Sequence, residues 1–127
     1  MEFVVQTQTG AYDIFAVVRR IGSDILVAIW GGERPHIGAV AMAQPRPSLK
    51  DPTLTSATTS VFCYMGHKED ALAHAVATKI ASRLNSPTVV TAGIHWDNLD
   101  EEGIQAVQAN SVLLTEMIVQ RLCAPKD

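Results

Sequence analysis

The sequence predicts an α+β domain: a mixed, mostly antiparallel six-stranded sheet with a C-terminal βαβα unit, in the order β-β-β-β-β-α-β-α. Three observations carry this. Short runs rich in β-branched residues, separated by Gly, Pro and Asp turns, fill the first half of the chain. After Gly66 the apolar repeat changes to every three or four residues. A lone apolar run at 88–94 separates two such helical stretches.

Residues 2–9 are Val/Thr-rich and alternate loosely, as a first strand does. Residues 12–20 and 24–30 are apolar on both faces, which suits strands covered on both sides. Ile21-Gly22-Ser23-Asp24 reads as the hairpin turn between them. Gly31-Gly32-Glu33-Arg34-Pro35 is a second turn, built from residues that tolerate or fix unusual φ. A fourth strand at 36–43 carries Gly38, Ala39, Ala41 and Ala43, so something is expected to approach it closely. Residues 44–57 hold three of the six prolines and read as a long loop. A fifth strand follows at 58–65.

Leu72, Val76, Ile80 and Leu84, with Ala73 and Ala77 beside them, form one face of a helix over about 68–84. Asn85-Ser86-Pro87 ends it. Strands 58–65 and 88–94 flank this helix as a βαβ unit and are expected to run parallel. Asn98 with Glu101 reads as a capping box. The helix it opens places Ile104, Val107, Leu114, Ile118 and Leu122 on one face. Residues 1–127 are read as one domain, since 127 residues suffice for a single core. Two helices leave the second face of a six-stranded sheet uncovered, so a homodimer packed sheet on sheet is expected.

The chain is 47% hydrophobic and 18% charged, with a formal net charge of −3. That composition excludes a disordered chain. Its Lys and Arg are scattered, so neither a nucleic-acid footprint nor a membrane-surface helix is expected. No apolar run is long enough to span a bilayer. No basic segment leads into a secretory apolar run, so a cytoplasmic location is expected. Cys63 and Cys123 fit no zinc-finger spacing and read as small core residues.

Function points to one sheet edge. His67 and His95 follow the fifth and sixth strands, and parallel strands bring their carboxyl ends to one rim, where α/β folds place ligands. A fourth strand running antiparallel starts at that rim. The geometry then gathers His36, His67, His95, Glu33, Lys68, Glu69, Asp70, Asp97 and Asn98 on one rim, with the turn Gly31-Gly32-Glu33-Arg34 beside them. His67-Lys68 precedes a helix N-terminus, whose free amides and partial positive charge suit a phosphate. Glu69 and Asp70 offer the opposite reading, as acids that complement the helix dipole with no ligand present. Arg46, held extended between prolines, and Ser48 reach from the long loop toward an anion, or stand solvated. Trp30 and Trp96 stack on a flat ring, or cap the core. His36, His67 and His95 form an alternative metal set, as three imidazoles with an open position do in hydrolytic zinc sites. His74, in mid-helix, is read as a surface residue or a helix-packing residue without chemistry. No phosphate-loop, dinucleotide or nucleophile-elbow motif is present, and no catalytic residue is assigned.

Four blocks carry a resemblance: Gly31-Gly32-Glu33-Arg34-Pro35-His36-Ile37-Gly38-Ala39, Pro45-Arg46-Pro47-Ser48-Leu49, Gly66-His67-Lys68-Glu69-Asp70 and Ala92-Gly93-Ile94-His95-Trp96-Asp97-Asn98. Together they resemble the prenylated flavin chaperone family, the LpdD-like proteins, over most of the chain. The resemblance implies a non-catalytic protein that binds reduced prenylated FMN reversibly. It implies supply of that cofactor to a UbiD-type decarboxylase, with a flavin prenyltransferase as a further partner. Trp96 departs from the family pattern, so the resemblance does not imply ring stacking there. The cofactor-binding set expected is Gly32, His36, Gly38, Arg46, Ser48, Gly66, His67, Lys68, His95, Asp97 and Asn98. The alternatives are a small metal-dependent enzyme using His36, His67 and His95, and a dimeric assembly factor without a small ligand.

Overall fold

The computed structural model describes residues 1–66 and 69–125. Its elements are β1 (Glu2–Gln6), β2 (Ile14–Ile21), β3 (Asp24–Gly32), β4 (Ala39–Pro47), β5 (Thr55–Cys63), α1 (Asp70–Leu84), β6 (Thr88–His95) and α2 (Glu101–Cys123). The α+β class and the order of elements match the sequence reading.

One six-stranded sheet runs β1-β2-β3-β6-β4-β5. Among the described residues only β3 and β6 pair in parallel; the other four pairings are antiparallel. β5 and β6 point the same way, as expected of a βαβ unit, but β4 lies between them. The chain therefore crosses over β4 through α1.

Alternation fixes one buried face. Ile14, Ala16 and Val18 of β2 face the same layer as Ile25, Val27 and Ile29 of β3, Ala39, Ala41 and Ala43 of β4, and Val90 and Ala92 of β6. Both helices lie on this layer. α1 packs on β4, β5 and β6, and α2 on β1 and β2. Ile80, Leu114 and Ile118 are fully buried between helices and sheet. No described element packs on the opposite face.

Several boundaries differ from the sequence reading. β4 does not stop at residue 43 but runs on through Pro47, and β5 begins at Thr55, so the long loop shrinks to 48–54. The prolines are tolerated because the β6 ladder ends at Ala43. Beyond it β4 pairs only with β5, and a one-sided strand can carry residues without an N–H. The small residues of β4 do receive a close neighbour, but it is α1, whose Ala73, Ala77 and Ala81 are fully buried. The cap of α2 is Asp100, whose side chain accepts from Gly103 N at 2.8 Å. Asn98 instead takes a left-handed turn at φ 56°. Along α2 the stripe also shifts: Ile104 is exposed and Asn110 takes a buried position. Cys63 is partly packed on the core, whereas Cys123 is exposed.

Candidate functional site

β3, β5 and β6 end at the same rim, and β4 starts there. The rim thus gathers Gly32, Glu33, Arg34, His36, Gly38, Gly66, Glu69, His95, Asp97 and Asn98. His67 and Lys68 lie outside the described residues.

Two clusters of polar contacts hold the rim together. In the first, His36 Nδ1 lies 2.8 Å from the Arg34 carbonyl and Nε2 lies 2.8 Å from Glu69 Oε1. Ile94 N donates to the same carboxylate oxygen at 3.3 Å. Glu69 is the residue before α1, yet it makes no side-chain cap; its carboxylate turns inward instead. This explains two glycines. A Cβ on Gly38 would stand 2.4 Å from Glu69 Oε2, and one on Gly93 only 1.5 Å from the His36 carbonyl oxygen. These glycines admit neighbouring protein rather than a ligand. In the second cluster, His95 Nε2 lies 2.9 Å from Asp97 Oδ1, and Arg34 lies 3.5 Å from Asp97 Oδ2. The hydrogen bond from His95, then the Arg34 charge, hold the Asp97 carboxyl below its ordinary value. Glu33 N donates to the His95 carbonyl at 2.7 Å, locking the turn after β3 to the end of β6.

Glu69 is the residue whose structural part the sequence does not reveal. An acid in a first helical turn reads as a dipole partner, and no local pattern shows that it points inward. Among the described residues no three His, Cys, Asp or Glu groups converge as metal ligands. Nε2 of His36 and of His95 each already faces a carboxylate. His74 is exposed, as expected of a surface residue.

Arg46 and Ser48 do not join the rim. β4 begins at the rim, so its far end lies away from it; Arg46 is about 23 Å along the strand from Ala39. Its Nε donates to Thr58 Oγ1 at 2.8 Å. Trp96 packs on the core edge, with Tyr12 edge-on at 5.3 Å. Trp30 stacks on Phe15 at 5.8 Å.

At that far end a groove of about 620 Å³ opens on the uncovered sheet face. It exists because β6 starts at Thr88 while the β4–β5 arm projects beyond it. Leu26, Met42, Val89 and Pro87 give it apolar surface; Gln44, Thr58 and Ser60 supply hydrogen-bonding groups. The groove is not visible in the sequence, because it needs the strand order.

A family model described as the prenylated flavin chaperone LpdD-like domain matches residues 8–123. The chain is similar to Protein LpdD of Lactiplantibacillus plantarum, at 27% identity over 93% of this chain and 83% of that protein. Its fold is similar to one chain in the crystal structure of a novel chaperone complex for yeast 20S proteasome assembly. There the TM-score is 0.50 and the identity 16%, over 95% of this chain and 94% of the other.

Proposed function

The chain belongs to the prenylated flavin chaperone LpdD-like family, and on that premise we propose that it is a non-catalytic carrier of reduced prenylated FMN. It supplies this cargo to a UbiD-type decarboxylase, which does the chemistry. The observation that carries the reading is the family match over residues 8–123, which takes in most of the sheet and both helices.

The groove at the lower end of the open face suits such a cargo. Its volume lies in the range of small-molecule sites. Leu26, Met42 and Val89 offer an apolar bed for a prenylated ring, and Gln44, Thr58 and Ser60 offer groups for its polar edge. Arg46, bonded to Thr58, brings a permanent positive charge to the phosphate. The groove is open on one side, which suits release. A second seat at the rim is favoured by the half-exposed His95 and by the N-terminus of α1, which attracts anions. There Gly32, His36, Gly66, Asp97 and Asn98 share the edge. Against it, Asp97 is held ionised and repels a phosphate.

Anaerobic titration of the purified chain with reduced prenylated FMN, and with FMN as control, tests the reading. Saturable binding of the prenylated form is expected. Arg46→Ala is expected to weaken it and His95→Ala to leave it unchanged. The reverse ranking moves the cargo to the rim. Absence of binding by the wild-type chain removes the carrier reading.

A further inference from the structure

We propose that the sheet face opposite the helices is a homodimer interface, on which a second copy of this chain packs sheet on sheet. The inference rests on that face; Leu26, Met42 and Val89 also line the groove proposed for the flavin, so in the dimer the second sheet closes over that groove and leaves it open at its lower end, at Gln44 and Thr58.

The registers assemble the face row by row. Val4, Val17, Ala28, Thr91, Val40 and Phe62 form one continuous row across all six strands. Above it sit the stacked Phe15 and Trp30; below it sit Leu26, Val89 and Met42. Val4 is 61% exposed, Met42 62% and Phe62 67%. Charges stand only at its margins. Glu2 and Arg19 pair with each other at 3.1 Å on the β1–β2 side, and Asp24 and Arg46 lie at the lower end.

Area argues for a permanent partner. Six strands about 4.8 Å apart span about 24 Å, and strands of eight or nine residues run about 27 Å, a footprint of about 650 Å². A standard interface uses about 800 Å² of accessible surface per partner, and a pleated face exposes more than its footprint. Monomers rarely leave so large a contiguous apolar patch bare. The composition, apolar with Phe, Trp and Met and without interior charge, is that of an obligate interface rather than of a transient one. A carrier's client comes and goes and leaves the patch exposed between visits. A second copy is made alongside it in equal amount, and two twisted sheets stack at about 10 Å.

Light scattering on the purified wild-type chain is expected to give twice 13.7 kDa. Ala28→Arg and Thr91→Arg, which place a charge in the middle row, are expected to give 13.7 kDa with unchanged far-ultraviolet circular dichroism. Peroxide oxidation of the wild-type chain supplies a readout that needs no variant. Met65, 99% exposed beyond the end of β5, is the reference. Met42 is expected to oxidise at least about tenfold more slowly than Met65 if a second sheet covers it. A monomeric wild-type chain overturns the proposal. So does a dimer in which Met42 and Met65 oxidise within about twofold of each other, since its interface then lies elsewhere.

Discussion

Replacing Glu69 by Ala tests whether the buried carboxylate pins the rim together. Its side chain is 11% exposed and that of His36 22%. Removing one partner of a fully buried ion pair costs about 3–5 kcal/mol. Loss of the bond from Ile94 N adds about 1 kcal/mol. Partial access of water to His36 offsets part of this, so we expect a loss of about 2–4 kcal/mol. For a chain of this size that lowers Tm by about 8–16 °C. Urea denaturation reads it as a lower midpoint at unchanged m. Lys50→Ala, on the exposed 48–54 connection, is the control and should change stability by less than about 0.5 kcal/mol. A double-mutant cycle with His36→Ala should show coupling of at least about 1 kcal/mol. A Glu69→Ala loss below about 0.5 kcal/mol, or additive single effects, would refute the reasoning.

Two further outcomes follow from the scaffold. Ile80 is fully buried under β4, β5 and β6, so Ile80→Ala should cost about 2–5 kcal/mol by denaturation, and a loss under about 1 kcal/mol would place it outside the core. The backbone N–H of Thr9 at 2.8 Å, with the Thr7 and Thr9 hydroxyls, holds the Asp13 carboxyl below its ordinary value of 3.8. The folded value is lower than the unfolded one, so this stabilisation is full above the ordinary value and fades as pH falls through the folded value. Between about pH 6 and pH 3 the Tm of wild type should therefore fall more steeply than that of Asp13→Asn; parallel slopes would contradict the assignment.

Much of this fold is legible in the sequence, because period marks each element. The change after Gly66 from β-branched runs to the Val76–Ile80–Leu84 stripe locates α1, and Asn85 ends it in the left-handed conformation. The rim is legible too: once β5 and β6 point one way and β4 the other, His36 and His95 must share an edge. The same argument excludes Arg46 from that edge, since a strand that starts at the rim ends away from it. Pro45 and Pro47 hide this, because prolines read as a loop until one knows that β4 is paired on one side there. The small residues of β4 signal close approach correctly, but sequence does not say by what; the alanines of α1 answer. Glu69 and the groove are invisible for a shared reason. Each depends on contacts between β6 and elements distant in sequence, and no local pattern encodes those contacts.

The carrier reading is tested most directly by the anaerobic titration with reduced prenylated FMN, FMN serving as control, read by absorbance and calorimetry. Saturable binding of the prenylated form, weakened by Arg46→Ala, is the predicted result. No binding of the prenylated form by the folded wild-type chain would contradict it.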